Sequence, residues 1–367
     1  MFQLSSHSVW LWLGPALVAA GVCAALTPGA IRAATRLGIV DRPVGQKIHK
    51  RVTPLLGGVA VYVAFAVACV LFLPLGGPVF GILLGGLVAV VVGVLDDRFS
   101  LPPLLHLAGQ TLAAVVTVVT GLGVVRYISI PWASANFRGS WHVPLLLGVV
   151  FSLFWIVGMM NTINFLDGLD GLSTGVGIVS AVLLAFWAAH EQNFIAHPSA
   201  SFHHADLILP VVLAAALVAF LPYNWNPAKI FIGDSGAMFV GLALAALSIM
   251  GPAKIGTALV VLCIPVLDVA WAIVRRQLHG RSFLSGDKQH VYHRMLELGM
   301  SHTATVVALY AICIILALAD YSLLKLEKLV AFGIVAVLTI SAFVILEVAG
   351  DRRQRRLKQT RQAPEAS

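Results

Sequence analysis

The sequence predicts an all-α polytopic membrane protein with about eleven transmembrane helices, its N-terminus outside and its C-terminus in the cytoplasm. Three observations predict it. Of the 367 residues, 59% are hydrophobic and 11% charged, too few charges to build the polar shell of a soluble domain, which runs near 25% charged. Apolar stretches of the length that crosses a bilayer, about 20 residues, recur along the whole chain. The basic residues fall almost entirely in every second loop between those stretches.

In order, the apolar stretches lie near 9–31, 55–74, 78–95, 104–124, 143–160, 171–189, 206–222, 236–250, 254–274, 302–319 and 328–348. The first lacks a basic leader and is long enough to span, so it reads as a helix and not as a cleavable signal. The narrowest separations, Pro74 to Pro78 and Gly251 to Lys254, read as tight turns between antiparallel helices. Alternation then assigns 19 of the 24 Lys and Arg residues to one face. That face carries Arg32 to Arg51, Arg98, Lys229, Arg275 to Arg294 and the run from Arg352 to Arg361; by the positive-inside rule it is cytoplasmic. Residues 1–350 form a single transmembrane domain. Residues 351–367 form a basic cytoplasmic tail expected to be disordered and suited to anionic lipid.

The net charge of +8 does not point to nucleic acid, because it resides in topology-setting loops. Cys23, Cys69, Cys263 and Cys313 each lie inside an apolar run without metal-ligand or redox spacing, and read as packing residues.

With sixteen acids in the chain, their positions carry information. Asp96 and Asp97 end the third stretch. Asp167 and Asp170 follow the fifth in Asn161-Thr-Ile-Asn164-Phe-Leu-Asp167-Gly-Leu-Asp170-Gly. Asp234 precedes the eighth in Phe231-Ile-Gly-Asp234-Ser-Gly. A charge at the edge of hydrocarbon is costly, and the topology brings all five to the cytoplasmic face with little local countercharge. Carboxylates so gathered, beside the amides of Asn161 and Asn164, call for a hard cation; magnesium fits, with manganese as a substitute, because it takes one or two carboxylates and leaves room for waters and phosphate oxygens.

The remaining cytoplasmic loops supply cations. The first contains Asp41, Lys47, His49 and Arg51; the penultimate reads Gly286-Asp287-Lys288-Gln-His290-Val-Tyr292-His293-Arg294. Lys and Arg bind phosphates, and histidine adds hydrogen bonds or charge. Arg275 and Arg276 flank a span and read as topology signals. The outer-loop residues His190, His197, His203 and His204 lie on the opposite face and have no assigned role. Carboxylates for a metal and cations for phosphates on one membrane face are the parts of a phosphoryl-transfer site.

At these motifs the chain resembles the polyprenyl-phosphate N-acetylhexosamine-1-phosphate transferases of glycosyltransferase family 4, in particular the bacterial undecaprenyl-phosphate N-acetylglucosamine-1-phosphate transferases that start O-antigen, enterobacterial common antigen or teichoic acid synthesis. The resemblance runs from about Asp41 to Gly299 and rests on five motifs in order: the first loop with Lys47 and His49, the Asp96-Asp97 pair, the Asn161–Asp170 segment, Phe231-x-Gly-Asp234-Ser-Gly, and the His290/His293 loop. It implies a magnesium-dependent transfer of a sugar 1-phosphate from a UDP-sugar, N-acetylglucosamine first among them, to undecaprenyl phosphate at the cytoplasmic side of the bacterial inner membrane. It implies roles as well. Asp96 orients or deprotonates the lipid phosphate, with Asp97 beside it near the metal. Asp234 is a metal ligand, and Phe231 lies against the uracil ring. Asn161, Asn164, Asp167 and Asp170 bind nucleotide, and Lys47, His49, His290, His293 and Arg294 engage the diphosphate or sugar. Partners are the two substrates and membrane lipid, with no nucleic acid; a homodimer is compatible with the sequence.

Two positions depart from the family's usual pattern: Ser100 stands where an Asp or Asn is common, and Tyr292 where a third histidine is common. Asp268, about two turns before Arg275, is open between a structural and an outer-shell role. Two rival readings stand: a relative using another donor, including UDP-N-acetylmuramoyl-pentapeptide, and a transporter.

Overall fold

The computed structural model describes residues 6–43, 52–129, 140–194, 203–250, 254–278 and 290–322, together with 330, 333–341 and 345. Helices carry nearly all of it. They are α1 (Ser6–Leu37), α2 (Gly57–Phe72), α3 (Gly77–Phe99), α4 (Pro103–Thr117, prolonged by a wider turn over Val118–Leu122), α5 (Leu145–Leu166), α6 (Leu172–Phe194), α7 (His203–Asn224), α8 (Gly233–Ile249), α9 (Lys254–Val261), α10 (Cys263–Leu278), α11 (Val291–Glu297) and α12 (His302–Ser322). Two antiparallel strand pairs complete it: β1 (Val40–Asp41) with β2 (Thr53–Pro54), and β3 (Tyr127–Ser129) with β4 (Ser140–His142).

Ten of the eleven expected stretches fall on helices, and residues 333–341 of the eleventh are helical. Among the described residues seven helices are long and apolar enough to cross a membrane, or eight if α9 and α10, bent by 78° at their junction, are one broken span. The protein is a multi-pass helical membrane protein. The helices α2 and α8, with 16 and 17 residues, rise about 24–26 Å and fall short of the roughly 30 Å hydrocarbon core. The tail at 351–367 lies outside the described residues.

The short helix α8 is the hub. Nearly every one of its residues is buried, as expected of a helix apolar on all sides, and α2, α3, α5, α6, α7 and α9 pack around it. Small residues let the backbones close up. A Cβ on Gly58 would strike the backbone of Gly236, and one on Gly93 the backbone of Ser235. This contact sets the C-terminal end of α3 beside the N-terminal end of α8. Main-chain bonds fix the register there: Phe231 N–H donates to Pro54 O at 2.8 Å, and Gly57 and Gly58 donate to Phe231 O and Ile232 O at 3.1 and 2.8 Å. The four cysteines are buried and free, consistent with packing.

Candidate active site

Helix ends make the site. The end of α3 brings Asp96 and Asp97, the end of α5 brings Asn164 and Asp167, the start of α8 brings Asp234, and the start of α11 brings His290. All six line one cleft of about 430 Å³, which also reaches Asp41, Ser100 and Tyr292. Three acidic segments separated by up to 138 residues thus meet at one end of the bundle.

Each carboxylate is held differently. Asp97 accepts the backbone N–H groups of Asp234 and Ser235 at 3.0 and 3.3 Å. Those amides open α8 and have no carbonyl partner within the helix, so Asp97, from another helix, caps α8 and meets the positive end of its dipole. Gly233 makes the approach possible: its φ is +69°, and a Cβ there would run into Leu55 O and the Asp97 carboxylate. Asp234 accepts from the Asn164 amide and shares the cleft with the Asp96 carboxylate. Asp96 is oriented by Leu101 N–H at 2.6 Å and by His106 Nδ1 at 2.6 Å. Asp167 accepts from Ser173 Oγ at 2.7 Å. Desolvation, reinforced by the neighbouring Asp234 charge, pushes the Asp167 carboxyl well above the usual carboxylate range despite that bond.

Carboxylates gathered in one cleft repel one another unless a proton or a cation lies between them. The donors present are oxygens, the choice of a hard cation. No three His, Cys, Asp or Glu side chains among the described residues close on a metal position. Oxygen donors of this kind suit an ion that takes one or two carboxylates and fills its shell with water and substrate oxygen. Asp97 keeps a free lone pair on each oxygen beyond its two accepted bonds.

Other expected residues lie elsewhere. Asn161 donates to Gln110 Oε1 at 2.8 Å and extends a chain through Gln110 and His106 to Asp96. Asp170 is turned from the cleft and ties down the segment before α8, accepting from Asn226 Nδ2 at 2.8 Å and Ala228 N–H at 3.0 Å. Phe231, His293 and Arg294 do not line the cleft. Arg294 is buried and donates to Glu297 at 3.3 Å, and the His293 ring lies 4.3 Å from that of Tyr292. Lys47 and His49 lie outside the described residues.

Sequence reasoning missed His106 and Gln110 and gave Asp41 no role of its own. His106 and Gln110 carried a signal: they are one helical turn apart on an otherwise apolar helix and so share a face. Tyr292, in place of a histidine, is buried beneath the Asp167–Gly168 turn, where a Cβ on Gly168 would meet its hydroxyl.

The family model described as glycosyl transferase family 4 matches residues 79–252, which include α3, α5 and the start of α8. The chain is 31% identical over 333 residues to the probable undecaprenyl-phosphate N-acetylglucosaminyl 1-phosphate transferase of Bacillus subtilis, covering 89% of this chain and 88% of that one. It is 34% identical over 310 residues to the decaprenyl-phosphate N-acetylglucosaminephosphotransferase of Mycolicibacterium smegmatis, covering 76% and 73%. It is 28% identical over 306 residues to the undecaprenyl-phosphate alpha-N-acetylglucosaminyl 1-phosphate transferase of Escherichia coli K12, covering 79% of each. Similarity over that much of both chains, with the acidic motifs of the cleft inside it, places this protein in glycosyl transferase family 4, among the polyprenyl-phosphate N-acetylhexosamine-1-phosphate transferases.

Proposed function

We propose that the protein transfers N-acetylglucosamine 1-phosphate from UDP-N-acetylglucosamine to undecaprenyl phosphate, releasing UMP and starting a cell-surface polysaccharide. The observation that carries this reading is the cleft itself: Asp96, Asp97, Asp167 and Asp234 converge with His290 at one end of a membrane bundle. The names of the three relatives agree on the sugar phosphate and on a polyprenyl phosphate.

In this reading an oxygen of the lipid phosphate attacks the sugar-bearing phosphorus of the donor. The new P–O bond forms as the bond between the donor's two phosphates breaks, and its electron pair leaves with UMP. Asp96, braced by His106 and Leu101, orients the attacking phosphate and takes its proton if it arrives protonated. Asp97 and Asp234 would hold magnesium, which would neutralise phosphate charge as it shifts to the leaving group. Asn164 steers Asp234, and His290 faces the donor. The work is positioning and electrostatics, as phosphoryl transfer requires.

The eleven-span topology, with the cleft facing the cytoplasm of the inner membrane, belongs to the same proposal. It is supported by the one-sided basic loops and by the common end at which α3, α5, α8 and α11 present the cleft residues. Cysteines placed at Gln46, Ser100, Lys229 and Gln289 then label only from inside, and those at Ser134 and Ser199 from outside. Labelling of Gln289 from outside overturns the topology.

The deciding experiment incubates purified protein with undecaprenyl phosphate, magnesium and a panel of UDP-sugars, and reads lipid product and UMP by mass spectrometry. A lipid-linked product from UDP-N-acetylglucosamine is expected. Product only from another donor, such as UDP-N-acetylmuramoyl-pentapeptide, moves the reading within the family, and no product from any donor rejects it.

A further inference from the structure

Asp268 lies on α10, just beyond the break that bends this helix away from α9. Both of its oxygens are committed to the start of α11. Oδ2 meets His290 Nδ1 at 2.9 Å, and Oδ1 accepts the backbone N–H of Val291 at 3.1 Å. One carboxylate thus grips both the imidazole and the chain that carries it, so the ring can neither flip nor slide without losing a bond.

The other nitrogen of the ring has no such partner. His290 is 2% exposed, it lines the cleft with Asp96, Asp97, Asp167 and Asp234, and its Nε2 is buried without a hydrogen bond. Phe165 and Tyr292 pack on the ring, with centroids 4.9 and 5.9 Å away. A buried polar atom left unpaired in a well-packed site calls for a ligand that uses it. An ionised carboxylate only accepts hydrogen bonds, so Nδ1 must carry a proton, and Nε2 is left to serve the cleft.

We propose that Asp268 is a positioning residue: it fixes the His290 ring with Nδ1–H toward itself and so presents the Nε2 lone pair to a hydroxyl or N–H group of the donor. The inference rests on the proposed function, in which the cleft receives a UDP-sugar. With the ring proton on Nδ1, Nε2 carries the lone pair and accepts from the donor, an arrangement of supporting carboxylate and imidazole that recurs in other catalytic sites. Asp268 itself touches no substrate.

A double-mutant cycle tests this. Asp268→Asn keeps the shape but has one acceptor oxygen for two N–H groups, and its amide turned toward Nδ1 forces the ring proton onto Nε2. It is expected to lower kcat/KM for UDP-N-acetylglucosamine by about 10- to 100-fold, with Asp268→Glu recovering part of the loss. His290→Gln should lower it at least as much. On the His290→Gln background Asp268→Asn should cost nothing further, because its effect travels through the imidazole. Solid-state NMR of ring-15N histidine, assigned with His290→Gln, reads the tautomer without turnover: Nδ1–H in the unaltered protein, Nε2–H alone in Asp268→Asn. If His290→Gln is impaired and Asp268→Asn is fully additive with it, Asp268 is structural and the inference fails while the proposed function stands. An unchanged tautomer in Asp268→Asn overturns it as well. Near-normal turnover of His290→Gln removes His290 from the site and the inference with it. If Asp268→Asn does not fold, Asp268→Glu takes its place in the same cycle, and the same additivity test decides.

Discussion

Asp97→Asn separates the cap on α8 from the chemistry of the cleft. Electrostatics read from the sequence alone says that removing one of several crowded carboxylates should cost little stability, since like charges repel. The structure gives Asp97 a second task, because it accepts the N–H groups of Asp234 and Ser235 at 3.0 and 3.3 Å. Asparagine keeps one acceptor oxygen and turns an N–H₂ toward the other amide. A lost hydrogen bond to a charged group is worth about 1.5–3 kcal/mol, and the charge at a helix N-terminus about 0.3–1 kcal/mol more. Relief of repulsion from Asp234 and Asp167 offsets part of this, leaving a net loss of about 1–3 kcal/mol. Asp96→Asn and Asp234→Asn remove no helix cap, and asparagine keeps an oxygen for Leu101 N–H and for the Asn164 amide, so their melting temperatures should fall less than that of Asp97→Asn, which melts several degrees lower. The assay is thermal unfolding in detergent alongside initial rates of lipid-linked product. Magnesium should widen the gap and EDTA narrow it, because the cation screens the repulsion that the substitution relieves. An Asp97→Asn variant that melts with the other two refutes the cap.

The remaining predictions address the same cleft. EDTA should abolish UMP release and added magnesium restore it; undiminished turnover in EDTA rules the metal out. Asp234→Asn should lose most activity and regain part of it at high magnesium, whereas Asp96→Asn should lose turnover with no such recovery; initial rates against magnesium distinguish them. His106→Ala, which strips the 2.6 Å support from Asp96, should lower kcat by about tenfold or more, and unchanged kcat would mean that Leu101 alone suffices. Ser100 is exposed and holds φ +51° at the end of α3, a conformation Asn tolerates better than most residues. Ser100→Asn should therefore raise the melting temperature slightly, and Ser100→Val should lower it.

Much of the cleft was legible because charge is conspicuous against hydrocarbon. Asp96, Asp97, Asp167 and Asp234 could be found by asking which carboxylates abut apolar runs, and the rule of alternating faces puts them together without any knowledge of the fold. Asp170 passes the same test and yet turns away from the cleft, because a sequence shows that a side chain is near the end of a helix but not which way it points. In Asp167-Gly-Leu-Asp170 the turn aims one carboxylate into the cleft and the next toward Asn226 and Ala228. His106 was hidden because its partner lies ten residues back, across a reversal at Pro102 and Pro103 that no periodicity describes. The Asp268–His290 pair was hidden more deeply, since it depends on the 78° bend between α9 and α10. Apolar runs leave the depth of α2 and α8 in the bilayer open for a related reason. Such a run shows that a helix is buried, but not whether lipid or other helices bury it.

That distinction explains why the site stands where it does. Other helices wrap α8 on all sides, so its first amides open a helix that is buried from its first turn and lack water. Those amides need an acceptor, and Asp97 supplies it from α3. The same carboxylate would be expensive there without donors, and the helix end provides two. Each element therefore stabilises a group that the other could not bury alone. Asp234, in the first turn of α8, is carried to the same place by the same contact, and Gly93 and Gly233 are small because the two chains must touch there. The contact between α3 and α8 brings Asp97 and Asp234, the pair proposed to hold the metal, to one place. A side chain at Gly93 would therefore separate them before it unfolded the bundle. Gly93→Val is expected to abolish turnover, and full activity in that variant would show that the site does not depend on this packing.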